Sequence, residues 1–187
     1  MEQLMETFLT FLMILKVQKL QEIKARLVKT KTQLKPCTPQ EVIKVEEFYK
    51  VSLPAVYKEF LLMMGKGAGE YMAGSSVFYD EIFFLRQYAK ELIRDNSLQP
   101  LPDNAFVFWL HQGYQMAFFL LDENEHLPVY YFGEGEGMKS VEIRYSRFID
   151  FLEQELTMSF RDVNLKWHQR VFGWVKQMVK VPKFFKE

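Results

Sequence analysis

The stretch of sequence that decides the fold runs from Thr38 to Met64 and reads TPQEVIKVEEFYKVSLPAVYKEFLLMM. Its first four residues carry the signals of a helix start. The Thr38 hydroxyl can accept a hydrogen bond from a free backbone N–H, and the Glu41 side chain can reach back to the backbone of Thr38. Pro39 stands at the first helical position, where a missing N–H costs nothing. The segment therefore predicts a helix that begins after Thr38 and continues to about Lys50.

A second helix follows within the same stretch. Pro54 is a good first helical residue, and Gly65 is well placed to end the helix. Between them, apolar residues recur at the spacing of one helical face. These residues are Val56, Tyr57, Phe60, Leu61 and Met64. We expect two consecutive helices, the first of which buries Val42, Val45 and Tyr49 on one side.

Upstream, residues 3–34 contain no Gly or Pro and predict one long helix. Its second half is amphipathic, with Val17, Leu20, Ile23, Leu27 and Leu34 roughly on one face. Its first half is more apolar, but glutamates precede it where a signal peptide would be positive. It is also shorter than the roughly 20 apolar residues of a membrane span. We expect a cytoplasmic protein whose N-terminal helix packs its apolar side on the domain or on another copy.

Downstream, four segments are rich in aromatic and β-branched residues and are separated by turn signals, which predicts an antiparallel meander. The segments are Ala105–His111, Tyr114–Leu121, Val129–Phe132 and Val141–Tyr145. Residues 116–121 are apolar on both faces, as in a central strand covered on both sides. In the last segment, apolar Val141, Ile143 and Tyr145 alternate with charged residues, which predicts a half-exposed strand.

The remaining segments complete an α+β fold, an antiparallel meander sheet flanked by N-terminal and C-terminal helices. Residues 75–79 predict a short strand and residues 85–95 a helix. Ser146 is expected to cap a helix with Phe148, Phe151, Leu152 and Leu156 on one face. A last helix is expected near 160–180. The expected division is a helical extension over 1–35, an α+β domain over 36–158, and a C-terminal helix over 159–187.

Several of these segments resemble the SUKH superfamily, which includes the yeast cell-wall-assembly regulators and many bacterial immunity proteins. The helix–Leu-Pro–helix signature of that family is matched by Glu46, Leu53, Pro54, Tyr57, Lys58, Phe60 and Leu61. Residues 106–114, 118–122 and 129–132 resemble its central hairpins, and residues 146–152 its closing helix. The resemblance covers roughly residues 40–157. It implies a binding domain without catalytic activity, either an immunity protein that neutralises a cognate nuclease or deaminase toxin or a regulatory interaction domain.

The charge of the chain is unevenly distributed. Its 24 basic and 24 acidic residues sum to zero, which argues against a basic nucleic-acid-binding protein. Residues 1–35 carry +4, residues 36–158 carry −9 and residues 159–187 carry +5. Cys37 is the only cysteine, so an intrachain disulfide and a cysteine-based zinc site are excluded.

No catalytic or cofactor motif stands out in the sequence. His111 and His126 flank adjacent strands, but no set of ligands at metal spacing joins them. No serine nucleophile motif occurs, and we interpret Ser75 as part of a strand entry. Residues 133–137 read GEGEG, which lacks the lysine of a phosphate loop and carries two glutamates that would repel a phosphate. We expect a hairpin tip there, no cofactor, no metal and no enzymatic activity.

An acidic bias between Asp103 and Glu142 suggests how a partner would bind. Seven carboxylates in this segment face one basic residue, Lys139. Ordinary solvated loops explain such charges, and so does a surface that attracts a basic partner protein. On the second interpretation the partner-binding residues are two aromatic anchors and five carboxylates. They are Tyr114, Asp122, Glu123, Glu125, Tyr131, Glu134 and Glu136.

The basic termini leave other partners open. Seven basic residues after residue 158 are interleaved with Trp167 and Trp174, a composition found in helices that bind membranes or nucleic acid. The two Trp residues fall on the apolar stripe, however, which favours docking on the domain. We therefore expect a protein partner, a toxin domain of basic character, rather than nucleic acid or membrane. The alternative function is a regulatory or scaffolding domain that self-associates through its terminal helices.

Overall fold

The structure, a computed structural model, describes residues 18–121 and 127–160. These residues form five helices and seven strands in an α+β arrangement. In chain order they are α1 (18–29), β1 (Leu34–Lys35), α2 (Pro39–Tyr49), α3 (Ala55–Met64), β2 (Gly67–Ala68), β3 (Ser75–Ser76), α4 (Tyr79–Asp95), β4 (Ala105–His111), β5 (Gln115–Leu120), β6 (Val129–Gly133), β7 (Glu142–Tyr145) and α5 (148–160).

The main sheet is an antiparallel meander with strand order β3-β4-β5-β6-β7, as the sequence predicts. The four predicted strands are found within one residue of their expected bounds. Strand β5 lies in the middle, and its residues from Met116 to Phe119 are at most 3% exposed. The prediction of a central strand covered on both faces is confirmed. Strands β1 and β2 form a separate antiparallel pair.

Helix α2 begins with the predicted capping box. The Thr38 backbone N–H donates to the Glu41 carboxylate at 2.8 Å, and the Glu41 N–H donates to the Thr38 hydroxyl at 3.2 Å. Pro39 is the first helical residue. The helix ends at Lys50, which adopts a left-handed conformation with φ 55°. The helix thus begins where the local signals predict, and Lys66 also binds the Glu41 carboxylate, at 2.9 Å.

Helices α3 and α5 pack on one face of the sheet, which we call the inner face. The Tyr57 ring of α3 is fully buried and lies 5.2 Å from Phe106, 5.5 Å from Phe119 and 5.5 Å from Phe148. The predicted apolar stripes of α3 and α5 are buried throughout. The Ser146 hydroxyl bonds to the Asp150 carboxylate at 3.2 Å, and the described helix begins at residue 148. Aromatic rings therefore form the centre of the core.

The described part of the N-terminal helix packs on the domain, as expected. Leu20, Ile23 and Leu27 of α1 are at most 1% exposed. The helix ends earlier than predicted, at residue 29, where the Thr30 hydroxyl donates to the Leu27 carbonyl at 2.7 Å. Leu34, expected on the helix, instead pairs with Ala68 in β1 and β2. Sheet pairing therefore takes Leu34 out of the predicted helix.

Two further boundaries differ from prediction. Helix α4 begins at Tyr79 rather than 85, and the strand expected over 75–79 contains only Ser75–Ser76. The Glu81 carboxylate accepts hydrogen bonds from the backbone N–H groups of Val77 and Phe78 at 3.1 and 3.4 Å. It thereby satisfies donors at the helix start, and the helix extends towards them.

The alternation predicted for the last strand is wrong at Ile143, which is 58% exposed. The pairing of β6 with β7 shifts between Val129 and Tyr130, so that Tyr130 pairs with Ile143 and Val129 with Tyr145. Arg144 is the extra residue of this bulge. A bulge breaks the two-residue repeat of a strand, so Ile143 and Tyr145 do not share a face.

In the part of the chain that the structure describes, no helix is long and apolar enough to cross a membrane. The helix predicted near 160–180 lies outside the described residues, which end at residue 160.

Candidate functional site

Four of the seven residues predicted to bind a partner lie within the described part of the chain, namely Tyr114, Tyr131, Glu134 and Glu136. Tyr114 lies in the turn between β4 and β5, and Glu134 and Glu136 follow β6, so all three lie at one end. We call this end the hairpin end. Asp122, Glu123 and Glu125 lie outside the described residues. The antiparallel order therefore brings Tyr114, Glu134 and Glu136 to one end of the sheet.

The Glu136 carboxylate organises the hairpin end. It accepts hydrogen bonds from the Tyr131 hydroxyl at 2.6 Å, from the Gln115 side-chain amide at 3.1 Å and from the Arg144 guanidinium at 2.7 Å. Arg144 and then Tyr131 hold the pKa of Glu136 below its ordinary value. Gly135, with φ 81°, allows the turn that brings this carboxylate back over the sheet. The charge of Glu136 is therefore largely offset within the molecule.

Tyr131 is not the exposed anchor that the sequence analysis expected, because it is only 5% exposed. Its ring lies between two neighbours: the Arg144 guanidinium is 4.1 Å from its centroid, and the Trp109 ring is 6.1 Å away. Burial and the bond to Glu136 raise the pKa of Tyr131. The strand register explains the burial, since Tyr131 pairs with Ala117, and Ala117 in turn pairs with Trp109. Tyr131 therefore supports the hairpin end from beneath.

Three other side chains that could contact a partner are exposed at the hairpin end. Tyr114 is 36% exposed, and its hydroxyl donates to Gln112 at 3.1 Å. Glu134 and Glu142 are also exposed, and neither forms an ion pair with any described residue. The Glu134 backbone N–H donates to the Tyr114 carbonyl at 2.8 Å, so an aromatic ring and a carboxylate project from paired backbone at this end and can provide an apolar contact and attract a cation. The role of these residues in binding remains a prediction.

A serine–histidine pair at the same end was not predicted. The Ser75 hydroxyl lies 2.9 Å from Nδ1 of His111 across the β3–β4 pairing, and the His111 ring stacks on Trp109 at 5.7 Å. Burial lowers the pKa of His111. A serine nucleophile also needs its base to be oriented by a third group, and no described carboxylate bonds to His111. No sequence motif signals this pair, because strand pairing alone brings the two residues together.

The opposite face of the sheet, which we call the outer face, carries a cavity of about 360 Å³. Its floor is the stacked pair of Phe118 and Tyr130, whose ring centroids are 5.1 Å apart. Its walls come from residues 97–102 and from Lys139–Val141. The sequence does not reveal this cavity, because both walls are irregular loops. Within the described ranges, no group of three His, Cys, Asp or Glu residues is arranged to hold a metal ion.

The residues that resemble the SUKH signature have a clear structural role at the corner between α2 and α3. The Glu46 carboxylate accepts a hydrogen bond from the Leu53 backbone N–H at 2.8 Å and forms an ion pair with the Lys58 ammonium at 2.7 Å. Pro54, with φ −58°, comes directly before the first residue of α3. Glu46 thus joins the end of one helix to the start of the next. This is a packing function, which identifies a fold rather than a partner.

Comparison with known proteins agrees with this geometry. A model of the SMI1 / KNR4 family (SUKH-1) matches residues 36–154. The matched segment begins just before the capping box of α2, includes strands β2 to β7 and ends within α5. No curated protein matches the chain. Because the family match covers more than half of the sequence, the chain belongs to the SMI1 / KNR4 family (SUKH-1).

Proposed function

We propose that this protein is an immunity protein, which binds a cognate bacterial toxin domain of the nuclease or deaminase type and neutralises it. Proteins with a SUKH domain are commonly immunity proteins. The proposed mechanism is steric occlusion: the protein covers the active site of the toxin and catalyses no reaction of its own.

The observation that supports the proposal is the pair of exposed carboxylates, Glu134 and Glu142, that lie with exposed Tyr114 at the hairpin end. The Glu136 network fixes its turn, so little conformational freedom is lost on binding. Exposed Tyr114 offers an aromatic anchor, since Tyr is enriched among residues that dominate binding energy. Glu134 and Glu142 would attract a basic toxin domain and raise its association rate.

The test is co-expression with the C-terminal domain of the secreted protein encoded beside this one. We expect growth to be rescued and a complex to form in the purified mixture. The Tyr114→Ala variant should weaken the complex by about tenfold or more. Failure of both rescue and complex formation at low salt would overturn the proposal.

A charge-reversal pair tests the electrostatic part. Glu134→Lys combined with Glu142→Lys should slow association about tenfold at low ionic strength and much less at high ionic strength. The matched control reverses Glu22 and Glu70, which are equally exposed but lie on α1 and on the loop after β2. Equal slowing by both pairs would show that net charge, rather than the hairpin end, steers the partner.

A second candidate function, a regulatory or scaffolding domain that self-associates, is favoured by one feature of α4. Phe84 and Tyr88 are neighbours one helical turn apart and are 55% and 54% exposed. Large exposed apolar groups are typical of interaction surfaces. The mass of the protein in solution tests this candidate: a dimer that the Phe84→Ala/Tyr88→Ala variant converts to a monomer supports it, and a monomeric parent protein excludes it.

A further inference from the structure

A groove between α2 and α4 combines exposed aromatic rings with basic side chains. Its volume is about 520 Å³. Phe48 of α2 is 58% exposed and touches Phe83 of α4 edge to face, with ring centroids 5.1 Å apart. Tyr49 continues the aromatic wall at 5.0 Å from Phe48. A phenylalanine that leaves more than half of its surface in water, beside a concave surface, indicates a contact site.

The opposite wall of the groove is basic. Arg86, Lys90 and Arg94 follow each other at four-residue spacing on α4 and all line the groove, as residues on one helical side do. Arg86 is fixed in place, because its guanidinium donates to the Ala105 carbonyl and, at 3.1 Å, to the Pro102 carbonyl. The groove lining contains one carboxylate, Glu91, and Asp95, the residue after Arg94, pairs with Arg94 at 3.0 Å. Arg86 and Lys90 are thus the two cations of this wall that form no ion pair with a described carboxylate. The groove is therefore a positive site within a segment whose net charge is −9.

We infer that the α2–α4 groove binds an acidic segment of a partner protein that inserts an apolar or aromatic side chain against Phe48 and Phe83. Aromatic residues and Arg are the residue types that dominate protein–protein binding energies. The basic wall selects carboxylates, and the aromatic wall supplies the apolar contact. This site differs from the hairpin end in both charge and location, and the inference does not rest on the proposed immunity function.

Single-stranded nucleic acid is the other anionic ligand that stacks on aromatic rings. The charge around the groove disfavours it. A nucleic acid carries a charge at every phosphate and needs a basic path along its backbone. Here the basic wall ends after two turns of α4, since the next residue is Asp95, which pairs with Arg94 at 3.0 Å. A short acidic peptide matches the limited extent of this wall better.

The test uses a short fluorescein-labelled peptide made of glutamate and alanine with one central tryptophan, measured by fluorescence anisotropy with the full chain. Binding should be weak, with a Kd of about 10–100 μM at low salt, as for small interfaces. A peptide with glutamine in place of glutamate should bind at least about tenfold more weakly, because it has no carboxylates to pair with the basic wall. An absence of binding at millimolar concentration would overturn the inference.

Two pairs of variants locate the site. Lys90→Glu with Arg94→Glu, and separately Phe48→Ala, should each lower the affinity at least about fivefold. The matched controls are Lys24→Glu with Lys29→Glu on α1, and Phe84→Ala, which lies outside the groove lining although it is similarly exposed. Equal effects of variants and controls would overturn the inference. A labelled oligothymidine that binds more tightly than the peptide would also overturn it.

Discussion

The Tyr131 hydroxyl donates a 2.6 Å hydrogen bond to the Glu136 carboxylate, which links strand β6 to the turn that follows it. Tyr131 is buried and Glu136 is at the surface, so the bond fixes an exposed turn to the sheet. Arg144 of β7 contacts both residues, through the tyrosine ring and through the carboxylate. The hairpin end is therefore held by a network that spans β6, its turn and β7.

Removing the tyrosine hydroxyl measures the strength of this link. The Tyr131→Phe variant should lose about 1 kcal/mol of unfolding free energy, because the hydrogen bond to the charged Glu136 carboxylate is lost. In a double-mutant cycle with Glu136→Gln, measured by urea denaturation, the two losses should be non-additive by about 1 kcal/mol. Additive losses would show that the two side chains do not act together.

The same network makes a pH-dependent contribution to stability. The pKa of Glu136 is below its ordinary value of 4.5, because Arg144 and Tyr131 bind the ionised form. A depressed folded-state pKa stabilises the protein above the unfolded pKa, and this stabilisation is lost as the pH falls through the folded pKa. The stability difference between the parent protein and Glu136→Gln should thus be constant above about pH 5.5 and shrink below pH 4.5. A difference as large at pH 3 as at pH 6 would contradict this assignment.

Glu155 should behave in the opposite way. Burial on α5 raises the pKa of Glu155 from 4.5 to about 7. Folding therefore favours the protonated form, and stability falls as the pH rises from 4.5 through 7. We expect Glu155→Gln to be more stable than the parent protein by about 1–3 kcal/mol at pH 8 and nearly equal at pH 4. Thermal melting at both pH values tests this, with Glu153→Gln as the control at a carboxylate that pairs with Lys19 at 3.6 Å.

Local signals in the sequence predict the helices and strands well, because they act over a few residues. The capping box of Thr38 and Glu41 depends only on a three-residue spacing, and it forms as predicted. The apolar run of residues 116–121 likewise indicates a strand buried on both faces, and β5 is buried so from Met116 to Phe119. These features survive folding because tertiary packing agrees with them.

Features set by strand register were not predicted. A shift in the β4–β5 pairing between Val107 and Trp109 lets the consecutive residues Phe108 and Trp109 both contact Phe151, at 5.1 and 5.6 Å. Tyr131 is buried for the same kind of reason, since its neighbours across the sheet decide its exposure. The aromatic groove was also missed, because Phe48 and Phe83 are 35 residues apart and only the packing of α2 on α4 brings them together.

Gly65 is closely surrounded by neighbouring atoms. A Cβ placed there would lie 2.6 Å from the Cys37 Sγ and 2.6 Å from the Leu61 carbonyl oxygen. We expect Gly65→Ala to lower the free energy of unfolding, measured by urea denaturation, by about 2 kcal/mol or more, because the backbone of α3 must move. Gly135→Ala is the control, because Gly135 has φ 81° and no atom close to the added Cβ. Backbone strain alone should there lower the free energy of unfolding by about 1 kcal/mol. A Gly65→Ala variant no less stable than Gly135→Ala would contradict the tight packing.

The core of the domain extends beyond the family match, which begins at residue 36. Leu20, Ile23 and Leu27 of α1 are buried in the same cluster as the aromatic core. We therefore propose that α1 belongs to the folding unit, even though residues 1–35 read as an extension in the sequence.

Replacing any one of the three buried α1 residues by alanine should lower the free energy of unfolding by about 2–4 kcal/mol. The matched control is Val28→Ala, since Val28 lies on the same helix but is 56% exposed and should change stability by less than about 0.5 kcal/mol. A chain that starts at residue 36 should accordingly unfold at a much lower urea concentration than the full chain, because it exposes the surface that these side chains cover. Equal midpoints for the two chains would instead show that the matched region folds by itself and that α1 only rests on its surface.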